Sequence, residues 1–194
     1  MQSKFFLETI KSLDGKIYNL FYHQKRFNNV LYSLGLNAFP KLEEFLKPPQ
    51  KGLFRCRVVY SINTLEVTYH EYTPRNIQTI KIIEDNAIFY SKKMLNRKSL
   101  DTVFQKRGKC DEVLIVQNNL LTDTTIANIA LYKKGEWHTP KKPLLEGTTR
   151  KRYLESKKII KKDIFVDDIA SYEKIALLNA MIDFDEKPIK TLIV

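Results

Sequence analysis

Strand-like alternation and helical spacing occupy separate stretches of this chain rather than alternating along it. Phe5-Phe6-Leu7-Glu8-Thr9-Ile10 opens as a strand, Asp14-Gly15 is a hairpin signal, and Ile17-Tyr18-Asn19-Leu20 reads as the return strand. The period then changes. Phe27, Val30, Leu31 and Leu34 fall at i, i+3, i+4 and i+7, which predicts a helix over about 22–34 with Gly35 placed to stop it. A short second helix is predicted over 42–46, ended by Pro48-Pro49. Strand patterns follow at 53–60, 65–72 and 77–83, and their half-apolar alternation suggests an antiparallel sheet with one buried face.

Beyond the Asp85-Asn86 turn, residues 87–96 read as a crossing segment. Helices are predicted over about 100–106 and 149–156, and strands over 112–116, 126–132 and 175–179, with Lys134-Gly135 as a hairpin tip. Such segregation gives an α+β class: two lobes, 1–88 and 89–194, of mainly antiparallel sheet with packed helices. No GxGxxG or GxxxxGK[ST] occurs, which argues against a Rossmann site or a P-loop.

Composition excludes several classes. Of 194 residues, 43% are apolar and 28% charged, enough for a core and against disorder as the main state. No apolar run exceeds four residues, so no transmembrane helix is expected, and Glu8 interrupts any signal-peptide core. Cys56 and Cys110 cannot build a disulfide scaffold, and a reducing cytoplasm is the expectation. His23, His70 and His138 are too scattered for a protein-built metal site. The net charge of +11 is spread along the chain without an aromatic nucleic-acid motif. It reads as a lysine-rich solvated surface that helps to collect anionic substrates, with no nucleic acid or membrane as partner.

Several separated segments carry the functional signal together. They are Phe6-Leu7-Glu8-Thr9-Ile10, His23-Gln24-Lys25-Arg26-Phe27, Lys93-Met94-Leu95-Asn96-Arg97, Leu121-Thr122-Asp123 with Asn128, Gly147-Thr148-Thr149-Arg150, and Leu178-Asn179-Ala180. In this order and spacing the chain resembles the class IV aminotransferase family. These are fold-type IV pyridoxal-phosphate (PLP) enzymes: branched-chain and D-amino-acid aminotransferases, and aminodeoxychorismate lyase. The K-x-L-N-R context of Lys93, the Asp111-Glu112-Val113-Leu114 segment and Asn179-Ala180-Met181 resemble the lyase branch most.

The resemblance implies a two-lobed D-amino-acid aminotransferase-like fold, a homodimer, a small-molecule amino substrate and the following site. Lys93 forms the Schiff base with PLP and afterwards carries protons. Adjacent Lys92 is the competing lysine, and family register favours Lys93. Asp123 pairs with the pyridinium nitrogen, where the family usually has glutamate; without the resemblance it is an ordinary turn residue. Gly147, Thr148 and Thr149 open a helix whose free N–H groups suit the cofactor phosphate, although a simple helix cap gives the same pattern. Arg26 matches a phosphate-contacting arginine, and Asn179 and Ala180 match a second phosphate-side turn. Arg55 and Arg57, two apart on one strand face, and Arg97, beside the lysine, are candidates for a substrate carboxylate; a sheet-edge salt bridge is the alternative for the strand pair.

Family members carry further residues before the first strand and after the last motif, so this chain resembles a shortened member. The expected reaction is conversion of 4-amino-4-deoxychorismate to 4-aminobenzoate and pyruvate, a step of folate biosynthesis. An amino-acid aminotransferase is the runner-up, and a catalytically silent relative acting as a binding protein is the alternative from another class.

Overall fold

The computed structural model describes residues 4–189, which divide into two compact units. The first comprises residues up to Pro74 together with Lys92–Asn96; the second comprises Arg75–Ser91 and the residues from Arg97 onward.

In the first unit, β1 (Phe6–Leu13) turns through Asp14 and Gly15, both at positive φ, into the two-residue β2 (Lys16–Ile17). The predicted return strand is cut short because Asn19 adopts a left-handed conformation and α1 (Leu20–Tyr32) begins at once. His23, Phe27, Val30 and Leu31 form the buried face of α1. Gly35, at φ 94, follows the helix end. The predicted helix over 42–46 is a single 3-10 turn, Leu42–Phe45, that buries Leu42. β3 (Leu53–Tyr60) and β4 (Leu65–Glu71) complete an antiparallel sheet in the order β2-β1-β3-β4. Phe6, Ile10, Cys56, Val58 and Tyr60 point from this sheet onto Phe27, Val30, Leu31 and Leu42. Residues 93–95 add a short stretch beside the start of β1: Met94 bridges Phe6, Leu7 N donates to Lys93 O at 2.8 Å, and Leu95 N donates to Phe5 O at 2.9 Å.

The second unit is built on an eight-stranded sheet. It contains β5 (Ile80–Glu84), β6 (Glu112–Gln117), β7 (Leu120–Thr124), β8 (Asn128–Lys133), β9 (Glu136–Pro140), β10 (Ile160–Lys162), β11 (Lys174–Asn179) and β12 (Asp183–Pro188). The order is β10-β9-β8-β7-β6-β5, with β11 pairing both β8 and β12. Helices α2 (Lys98–Gln105) and α3 (Thr148–Glu155) accompany it. β8 carries β11 along one edge and, along the other, β7 at its first residue and β9 at its end. Ile80, Leu114, Leu121, Ile129, Leu131, Ile175 and Leu177 belong to one core; Ala130, Tyr153, Ile159, Ala176 and Leu178 belong to another.

The α+β class with mainly antiparallel sheets is as expected; the parallel pairs are β5 with β6 and β9 with β10. The division differs from a break at residue 88. The strand predicted over 77–83 is expected in the antiparallel sheet of the first lobe; instead β5 lies parallel to β6. A parallel partner is supplied by a crossover later in the chain, so local pattern cannot announce it. The segment around Asp123 is a strand, β7, and Trp137 and His138 lie within β9.

Candidate active site

Glu8 is the centre of the first unit's polar cluster. It alternates with Phe6 and Ile10 on the inner face of β1, and that register buries a carboxylate completely. α1 supplies its partners. His23 Nδ1 lies 2.6 Å from Glu8 Oε2, Arg26 Nε donates to Oε1 at 2.7 Å, and Arg26 Nη2 donates to Oε2 at 2.6 Å. Burial alone would raise the Glu8 carboxyl, but the Arg26 charge and the bonds from His23 and Arg26 bring it down to about 2. His23 is pushed below its usual range, first by burial and then by the charges of Arg26 and Lys93, against the pull of Glu8.

Lys93 and Lys92 diverge. Lys92 Nζ donates to Ser33 Oγ at the end of α1, at 2.6 Å. Lys93 carries its charge close enough to depress His23 and is half-buried. Its carbonyl is tied to the backbone of β1, one residue from Glu8.

Arg57 and Arg55 occupy the opposite face of the first sheet. Their cross-strand partners are Thr9 and Lys11 on β1, and Thr68 and His70 on β4. Arg55 thus stands in a row with Lys11 and His70. The salt-bridge alternative for this pair finds no acidic partner among the described residues.

The second unit gathers another set of polar side chains. Asp123 and Asn128 are cross-strand neighbours where β7 meets β8. Asn128 Nδ2 donates to Asp123 Oδ1 at 2.7 Å, and Leu145 N donates to Oδ2 at 2.9 Å. Burial pushes the Asp123 carboxyl up to about 7 against these bonds and the more distant Arg150 charge. Gly147 is the N-cap of α3. A Cβ built there would run into Asn128 Oδ1. Thr148 and Thr149 are buried, and neither hydroxyl has a hydrogen-bond partner among the described residues. Arg150 is fully buried and structural: it donates to Thr139 Oγ1, Glu146 Oε2 and Pro140 O.

Arg97 and Asn179 are already engaged. Arg97 Nη2 donates to Thr125 O at 2.9 Å. Asn179 Oδ1 accepts from Met181 N and Ile182 N, and its Nδ2 donates to Ile126 O. Asn179 therefore shapes the turn through Ala180, between β11 and β12.

The family model for class IV amino-transferases matches residues 6–184. This chain belongs to that family. A Haemophilus influenzae protein of uncharacterized function is 35% identical over 180 residues, covering 90% of this chain and 96% of its own. A solved Haemophilus somnus structure bearing the name "putative 4-amino-4-deoxychorismate lyase" is 34% identical, covers 93% of this chain and 97% of its own, and superimposes with a TM-score of 0.85. The PLP-bound form of a hypothetical Mycobacterium tuberculosis aminotransferase shares the fold, with a TM-score of 0.76 at 15% identity, covering 95% of this chain and 80% of its own. Membership places this chain among PLP-dependent enzymes. No helix among the described residues is long and apolar enough to cross a membrane.

The residues present suit that cofactor. A buried carboxylate held above its usual range lacks a cation in contact, which is what a pyridinium N–H would supply. A helix tip with two unpartnered hydroxyls and a glycine at its cap suits a phosphate. Sequence reasoning assigned no role to Glu8, His23 or Asn128, although all three lie inside the quoted motifs. The available signal was a carboxylate at an inward strand position: Glu8 falls in step with Phe6 and Ile10.

Proposed function

We propose that this chain converts 4-amino-4-deoxychorismate to 4-aminobenzoate and pyruvate with PLP as its cofactor. The observation that carries the reading is Lys93, which belongs to the K-x-L-N-R run and is fixed by its backbone beside β1 and Glu8, while Lys92 is committed to Ser33. The lyase branch is supported by that run and by the name of the Haemophilus somnus relative.

Lys93 Nζ would be the attachment point for the cofactor and, once displaced by the substrate amine, the group that moves protons at the substrate carbon. Bound PLP supplies an electron sink for the charge left on the substrate. Asp123 would hold the ring nitrogen protonated, with Asn128 and Leu145 orienting its carboxylate. Gly147, Thr148 and Thr149 would take the phosphate through main-chain N–H groups and hydroxyls, joined by the Asn179–Ala180 turn. Arg26 would add positive charge to the phosphate side while Glu8 fixes its fork. Arg55 and Arg57, facing away from the first core, suit substrate carboxylates better than Arg97, whose guanidinium already holds Thr125. Atoms balance: the ring keeps its amine and aromatises, and the enolpyruvyl group leaves as pyruvate. The reading includes a homodimer, a place in folate biosynthesis and a cytoplasmic setting.

Incubation with chorismate, glutamine and an aminodeoxychorismate synthase tests it. 4-Aminobenzoate should form with the wild-type chain and not with Lys93→Ala. Absence of product together with turnover of an amino-acid and 2-oxo-acid panel would replace the lyase with an aminotransferase. Failure to retain PLP at saturating concentration would leave a silent relative.

A further inference from the structure

Asn128 closes a ring of three hydrogen bonds. Its Nδ2 carries two hydrogens; one goes to Asp123 Oδ1 at 2.7 Å and the other to Leu145 O at 2.8 Å. Leu145 N completes the cycle by donating to Asp123 Oδ2 at 2.9 Å. Two residues beyond Leu145 lies Gly147, the N-cap of α3, where a side chain would collide with Asn128 Oδ1. The amide is therefore packed from one side by a carboxylate and from the other by the chain that leads into the helix tip. Both neighbours of Nδ2 are acceptors, so its orientation is dictated by its partners.

We infer that Asn128 is a positioning residue for the cofactor, a single amide that fixes the ring-facing carboxylate of Asp123 and the anion-facing tip of α3 in one spacing. This deepens the PLP reading and rests on it. A rigid cofactor has a fixed distance between ring nitrogen and phosphate, and a site that holds both ends gains affinity only when its two halves are held in register. Asp123 lies on β7 and Thr148 opens a helix, and they share no backbone ladder. The Asn128 side chain and the Leu145 peptide supply that register. Burial helps, since Asn128 and Asp123 are both nearly inaccessible, where a lost bond is costly.

The test uses the whole chain and Asn128→Ala. Without cofactor, the Asp123 carboxyl is followed by carbon NMR. It should titrate at higher pH in the variant, because a donor to the ionised form is gone. Arg150 and the Leu144 and Leu145 amides, the other groups acting on this carboxylate, are unchanged. With cofactor, PLP should bind about ten- to a hundredfold more weakly. Inorganic phosphate, which reaches only the helix tip, should bind nearly as it does to the wild-type chain, because what is lost is the spacing between the two ends. A merely structural effect would lower stability and weaken phosphate and PLP alike. Unchanged PLP affinity in Asn128→Ala, or phosphate and PLP weakened alike, would overturn the inference while leaving the PLP reading in place. A wild-type chain that binds no PLP would end both. Should Asn128→Ala fail to fold, Gly147→Ala presses on the same amide from the other side. It should raise the Asp123 titration although residue 147 does not touch Asp123, and an unmoved titration there would overturn the inference as well.

Discussion

Arg26 grips Glu8 with two parallel hydrogen bonds, Nε to Oε1 at 2.7 Å and Nη2 to Oε2 at 2.6 Å, and the carboxylate between them and His23 has no exposure to water. The family pattern suggests Arg26 as a free cation for phosphate. The structure shows a cation whose orientation is set by a buried acid on the neighbouring strand.

Removing that acid should be costly. Glu8→Ala leaves the Arg26 fork and His23 without their shared partner, a loss of about 3–5 kcal/mol in unfolding free energy by urea titration. A change under 1 kcal/mol would show that the cluster contributes little to stability.

Acid should unfold the first unit through the same residue. The folded carboxyl sits near 2 against an ordinary 4.5, so its contribution, of order 3 kcal/mol, is present above pH 4.5 and is lost as pH falls toward 2. His23, also held below its ordinary value, acts in the same direction from pH 6.5 downward. Thermal melting against pH should decline along this limb, and Glu8→Gln should flatten its lower part.

Asp123 has the opposite sign. Its folded carboxyl is raised to about 7 from 3.8, so protonation favours the folded chain. Its favourable contribution is complete below pH 3.8 and is lost as pH rises to 7, an effect of up to about 4 kcal/mol. Cofactor-free protein should lose stability over that window, while PLP, by bringing a cation, should restore it. A cofactor-free Asp123→Asn chain with the same pH slope would remove Asp123 as its source.

Lys93 and Lys92 can be separated directly. Borohydride treatment of the PLP-loaded chain should fix cofactor mass on the peptide containing Lys93. Lys93→Ala should abolish both this mass and turnover, and Lys92→Ala should retain both, because Lys92 is spent on Ser33. Cofactor mass persisting in Lys93→Ala would reassign the attachment.

By itself the sequence determined the class, most of the elements and the family. Apolar spacing is a local property, and it placed α1, β1, β3, β4, β6 and β11 close to their observed bounds. It missed β7 as a strand because Leu121-Thr122-Asp123-Thr124 is polar and short, and it is held in the sheet by β6 and the start of β8. It grouped β5 with the wrong sheet because a parallel neighbour comes from a distant stretch of chain. The motifs pointed to Lys93, Asp123 and Thr149 as residue types. Only the tertiary structure decided that Glu8 orients Arg26, that Asn179 and Arg97 are occupied, and that Asn128 ties Asp123 to the approach of α3. Those are facts about partners brought together from far apart in the chain, and a hydrogen bond's direction and a carboxyl's burial exist only once the partners have met.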